Sequence, residues 1–355
     1  MRFVCLASLP LLALAACAGP GEEPVSAGES ALEAPLPMPE ASTHSAITPM
    51  GIHYERFASK VPSADERAFL TDATREPAVP PSVSSLHLER FEVDLYPSGV
   101  PSPSDVNQHA IGDCSAASVW ASLAMQAPGF VQSLIDDHGD GTFGVHVFDP
   151  AGRRLVINVD SKFLARNAND LEAVSAKNGK ADWATVLEKA ALKYLEVYPI
   201  VGRIGGIGSE LASPIFTGTG DSYAYYPGSL TPAQLTRVVR EELARGKIII
   251  GGFHEVLPIG DLKTVTAHAY MIARPAEAGT MVTMRNPWGA SPRAAGGYDT
   301  TRDGLIDVPA TTSWAQTVDL RIISPGAAGT AGTTEPYEPP ALTAPMMVRI
   351  DPGTP

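Results

Sequence analysis

Cys114 stands at the end of the stretch Gln108-His109-Ala110-Ile111-Gly112-Asp113-Cys114. A thiol attacks as its thiolate, and a helix N-terminus with an imidazole nearby favours that form. The residues from Cys114 to about Ala127 are small and apolar throughout and stop before Pro128-Gly129. They predict a buried helix whose first turn carries the thiol. Attack on a carbonyl further requires a base, a group that orients the base, and donors for the oxyanion. Among the histidines, His268 stands at the start of the β-like run TAHAYMIA, and Asn286 ends the next such run in MRNPWGA. On antiparallel neighbours joined by a loop from Arg274 to Thr280, the two side chains come side by side and the carboxamide fixes the imidazole tautomer. Trp288 is placed to keep water from that bond. Gln108 has an amide that could donate to an oxyanion together with the Cys114 N–H. Set against this chemistry is the commonest fate of a lone cysteine, a small buried hydrophobe.

These residues need elements to hold them. Thr142 to Phe148 and Arg154 to Val159 read as strands separated by the turn sequence Asp149-Pro150-Ala151-Gly152. Asp182 opens a helix with Trp183, Val186, Leu187, Ala190, Ala191, Tyr194 and Leu195 on one face. Thr231-Pro232-Ala233-Gln234 is a capping box with proline at the first helical position, and Gly246 closes that helix. Short β-branched runs follow: Ile248 to Phe253, Ala267 to Ala273, Met281 to Arg285, Leu305 to Val308 and Val318 to Ile323. Helices first and antiparallel strands later predict an α+β architecture.

The flanks differ in composition. Residues 1–17, MRFVCLASLPLLALAAC, carry one basic residue and then an apolar run too short to span a membrane, which reads as an export signal. Its end, Leu14-Ala15-Ala16-Cys17, resembles a bacterial lipobox, so Cys17 is expected to be lipidated and to anchor an exported protein in the cell envelope at the outer membrane. Cys5 leaves with the signal, and Cys114 remains as the one free thiol. Residues 18–85 are rich in Pro, Ala, Glu and Ser and are expected to be a disordered tether, within which residues 52–73 have some helical periodicity. The core is expected over 86–324, and 325–355 reads as a low-complexity tail in which Met346 to Ile350 could add a strand. The chain of 355 residues, 44% hydrophobic, is long enough to bury a core without disulfide or metal. A net charge of -13 with no basic stripe excludes a nucleic-acid partner, and a monomer is expected.

Four blocks in order, Gln108-x-x-Ile111-Gly112-Asp113-Cys114, Asp182-Trp183 through Leu187-Glu188-Lys189-Ala190, Ala267-His268-Ala269-Tyr270 and Arg285-Asn286-Pro287-Trp288-Gly289, resemble the protease core of the calpain family of cysteine peptidases. The resemblance runs from about residue 100 to 323. It implies a papain-like fold of two lobes, one helical and one an antiparallel barrel-like sheet, with protein or peptide substrates bound between them. Cys114 is then nucleophile, His268 general base and acid, Asn286 orienter and Gln108 part of the oxyanion hole. The family has Trp directly after the nucleophile, whereas this chain has Ser115. Animal members also bind calcium in and beyond the core; calcium therefore stays open here, with no ligand set carried over and no extra domain expected after the core. Residues 299–310 have an EF-hand rhythm but end on Ala310 where a bidentate Glu is needed, so a turn leading into a strand is expected there. Asp136 to Gly141 likewise reads as a hairpin turn, and Gly202 to Gly208 as a loop near the cleft. Two other functions share such residues: a catalytically silent peptide-binding module of the same fold, and an acyltransferase of transglutaminase type.

Overall fold

The computed structural model describes residues 40–41, 60–176, 178–199, 215–218, 222–275, 281–311, 314 and 318–325. The signal segment with Cys17, the glycine-rich stretch 202–208 and the strand expected at 346–350 lie outside the described residues.

Four helices carry the packing: α1 (Ala64–Thr71), α2 (Cys114–Gln126), α3 (Trp183–Val197) and α4 (Pro232–Ala244). Their starts are locally encoded. Ser63 with Glu66, Asp182 with Thr185 and Thr231 with Gln234 each close a reciprocal cap on orphan backbone donors. Helix α2 is the exception. Asp113 is its N-cap by position, yet its carboxyl makes no capping bond.

Seven strands form one sheet: β1 (Glu40–Ala41), β2 (Ser222–Tyr225), β3 (Ile248–Phe253), β4 (His268–Pro275), β5 (Met281–Arg285), β6 (Leu305–Pro309) and β7 (Val318–Ile323). Their order is β1-β2-β7-β3-β4-β5-β6 and every neighbouring pair is antiparallel. The expected barrel-like closure is therefore corrected to an open sheet with β1 and β6 at its edges. Closure is not needed to bury it, because apolar residues cover both faces. Alternation sends Ile248, Ile250, Ala269 and Met271 to the side of α2, and Ile249, Tyr270 and Ile272 to the side of Leu235, Val238 and Val239 of α4. A sheet satisfied on both faces has no drive to curl on itself.

The strands expected in the first half pair in one register from Thr142↔Asp160 to Phe148↔Arg154. Asp149 accepts from the N–H groups of Ala151 and Arg153 at their turn. The tether is shorter than its composition suggests, since from Lys60 the chain is folded against the core. Leu70 of α1 is fully buried, Lys60 donates to Val197 O at 2.6 Å, and Lys193 donates to Asp72 O at 2.9 Å. Glu76 pairs with Lys189 at 2.6 Å and Lys162 at 3.0 Å. The helical periodicity within 52–73 falls on α1, and composition hid only the charges whose partners lie about a hundred residues away.

Candidate active site

The thiol enters the site through α2. Ala116, Ala117, Val119, Trp120 and Ala121 are fully buried, so the small-residue run sets the helix deep and brings its first turn against β4. Cys114 and His268 line one cavity of ≈ 490 Å³, together with Ser115, Ala267 and Ala269. Burial pushes the Cys114 thiol above its ordinary range, while hydrogen bonding to the Ala269 N–H and to Ser115 opposes that shift. This reverses the expectation from the helix end alone, because desolvation of the thiolate outweighs the half-charge of one helix terminus. The resting thiol is neutral. Ser115, which replaces the tryptophan of the resemblance, brings a hydroxyl to the sulfur.

His268 opens β4 and is 7% exposed. Its Nε2 lies 3.0 Å from Asn286 Oδ1, and Asn286 is fully buried just past the end of β5. The antiparallel register, with Met271 opposite Arg285, creates this meeting across 18 residues of sequence. Asn286 Oδ1 also accepts from the Trp288 N–H at 3.1 Å, and the Trp288 ring lies 4.5 Å from the imidazole, centre to centre. A carboxamide oxygen is acceptor only, so Nε2 carries the proton and Nδ1 is left as the basic nitrogen. Burial holds the imidazole below its ordinary pKa, against the bond from Asn286. Ala267, immediately before it, has φ 51, a left-handed conformation in which a side chain is strained, with its N–H bonded to Phe253 O at 3.0 Å.

Gln108 does not line the cavity, and unlike Asn286 and Trp288 it makes no bond or ring contact that reaches His268. It is buried, its backbone N–H donates to Pro287 O at 2.8 Å, and its Nε2 donates inward to Ile111 O at 2.7 Å. What surrounds it was not foreseen. Asp113 and Glu188 of α3 are buried neighbours, with Asp113 Oδ1 and Glu188 Oε1 lacking any ordinary donor. Both carboxyls are pushed above the usual range by burial, and the Val174 N–H donates to Glu188 at 3.1 Å. Ionising both carboxyls in so buried a site is costly, which favours one retained proton between the nucleophile's helix and α3.

Arg285 is the other residue missed as a contributor. It is 1% exposed, and its guanidinium reaches Val106 O at 2.8 Å, Asn107 Oδ1 at 3.1 Å and Asp303 at 3.2 Å. It thereby ties the strand that ends at Asn286 to the loop that leads to Gln108 and Cys114. Gly289 completes the clamp: with φ +64, a Cβ there would lie 2.0 Å from Asn107 Oδ1. Alternating polar and apolar types around Arg285 are a weak signal, since its partners are distant in sequence.

The acidic turns are accounted for by protein groups. Asp299 accepts from Thr301, Asp303 pairs with Arg285, and Asp307 pairs with Arg302. Asp136 to Gly141 is a hairpin turn with Gly139 and Gly141 at positive φ. Among the described residues no group of three acidic, histidine or cysteine side chains could hold a metal ion.

A search of curated proteins finds no significant match to this chain. Residues 88–300, more than half of the sequence, match the profile of the calpain family cysteine proteases. That stretch holds the thiol helix, the His268 strand, Asn286 and the clamp between them, and the chain belongs to the calpain family of cysteine proteases.

Proposed function

We propose that the chain is an endopeptidase that hydrolyses peptide bonds through a Cys114–His268–Asn286 site. The observation that carries this reading is the buried 3.0 Å bond between His268 Nε2 and Asn286 Oδ1 beside a cavity shared by His268 and Cys114. His268 Nδ1 takes the proton of the neutral thiol as Sγ bonds to the carbonyl carbon. The oxyanion is met by the Cys114 N–H, an orphan donor at the helix start, and by the Gln108 amide once it turns from Ile111 O. Collapse breaks the C–N bond, the imidazolium protonates the leaving amine, and a thioester remains. Water deprotonated by His268 then releases the acid and restores the thiol. In this reading the helical half and the sheet half act as the two lobes of a papain-like fold, with substrate between them.

The same proposal places the enzyme in a bacterial cell envelope, lipid-anchored through Cys17 at the outer membrane and acting as a monomer. Among the described residues no helix is long and apolar enough to cross a membrane. Cys17→Ser is expected to move the protein from the membrane pellet to the soluble fraction, and a pelleted variant would sink the anchor. The activity itself is tested by incubating the protein with a broad peptide library, with and without calcium and reductant, and reading products by mass spectrometry. Cys114→Ala and His268→Ala each lower cleavage by at least about 10³-fold, and Asn286→Ala lowers it less. No cleavage by the wild type would leave the silent binding module, and products carrying an added amine would identify the acyltransferase.

A further inference from the structure

The cavity that holds Cys114 and His268 extends along β7, where Asp319 and Arg321 form part of its wall. The two side chains share the α2 face of the sheet with Ile323, because they alternate with Val318, Leu320 and Ile322 on the other. Their situations differ. Asp319 lies over Gly252, where a Cβ would meet its Oδ1 at 2.3 Å, and its carboxylate is served by the backbone N–H groups of Gly252 and of Asp319 itself. Burial pushes that carboxyl up, and the charge of Arg321 opposes the shift and favours the carboxylate. Arg321 has no such service. Its Nε and Nη1 are buried without a hydrogen-bond partner, and Asp319 on the same strand feels its charge without bonding to it. Guanidinium donors taken out of water and left unused cost stability that an acceptor, best an anionic one, recovers. No described protein group bonds these two donors, and the residue lines the cavity beside the nucleophile.

We propose that Arg321 is a specificity-determining residue that binds a carboxylate of the substrate in the cavity shared with Cys114, so that acidic peptides are preferred. This rests on the proteolytic reading above. Carboxylate is favoured over phosphate because Asp319 on the same wall repels a dianion more strongly than a monoanion. The carboxylate could belong to a Glu or Asp side chain or to the substrate's C-terminus, and the two are separable.

The experiment compares peptides that differ only by Glu against Gln at each position, and by free acid against amide at the C-terminus. Calorimetric binding to Cys114→Ala is measured in all cases, and kcat/KM is measured on the wild type. A charge-assisted bidentate pair predicts at least about tenfold tighter binding of the carboxylate peptide. The preference is expected to fall to about one in Arg321→Gln and to be partly kept in Arg321→Lys, with thermal melting confirming that both variants fold. Preference for an internal Glu assigns the side-chain source, and preference for the free acid alone assigns the terminal one; either supports the site. Equal binding of Glu and Gln, and of acid and amide, would overturn it, as would a preference that survives in a folded Arg321→Gln. Because binding is read on the uncleaving variant, failure of wild-type cleavage counts against the peptidase reading alone.

Discussion

At the scale of single residues, burial favours the neutral thiol and the neutral imidazole. Both shifts have one cause, desolvation of the charged form. The consequence is a pH dependence whose direction is set. An imidazole held below its ordinary value of 6.5 stays basic into mildly acid solution, so the acid limb of kcat/KM lies below that pH. Trp288, with its ring 4.5 Å from His268, supplies part of the desolvation. Trp288→Ala is expected to move the acid limb upward and to lower kcat several-fold by letting water compete for the bond to Asn286. An unchanged limb would mean that the tryptophan is packing only. Alternation and spacing were enough to find His268, Asn286 and Trp288, because two adjacent antiparallel strands can meet in few ways. The direction of the Cys114 shift was not legible, since it depends on how deep α2 sits.

At the scale of elements, α2 and α3 are joined by the carboxyl pair of Asp113 and Glu188. Glu188→Ala leaves Asp113 buried beside a cavity and costs on the order of 2–4 kcal/mol. Glu188→Gln keeps the volume and supplies a donor, and is expected to cost much less. A pH signature separates this pair from ordinary packing. The folded pair binds a proton that the unfolded chain has released once pH exceeds the ordinary carboxylate range, so its contribution is full at about pH 4 and is lost as pH rises through about 7. The difference in unfolding free energy between wild type and Glu188→Gln should therefore change across that window, measured by denaturant titration at a series of pH values; a flat difference would show that no proton is shared. Asp113 was legible only as a cap. Its real partner lies on another helix, and a helix periodicity names a buried face without naming what meets it. Arg285 is hidden for the same reason, since a buried guanidinium is intelligible only through Val106, Asn107 and Asp303.

At the scale of the whole molecule, the segment before the matched region is part of the folded unit from Lys60 onward. Leu70 fills the space between α1 and the core, and Glu76 neutralises Lys189, which is itself almost fully buried. Leu70→Ala is expected to cost about 2–4 kcal/mol, and a chain beginning at residue 86 to melt at markedly lower temperature, because Lys189 would keep only Asp160 at 2.5 Å as its counter-charge. Unaltered melting of the shortened chain would return residues 60–85 to the status of a tether.

The α+β class, the starts of α2, α3 and α4 and the strand runs that carry the site were determined by the sequence alone, for they rest on local periods, breakers and caps that a short window contains. The resemblance of four spaced motifs added the roles. Only the tertiary structure decided that the sheet stays open, that Gln108 turns inward, that two carboxyls are buried together behind the nucleophile, and that Arg321 lines the cavity with two buried donors unbonded. Each of these depends on which distant residues share a buried volume. In such a volume, the unscreened charges and unmet donors brought in from remote parts of the chain outweigh local preference.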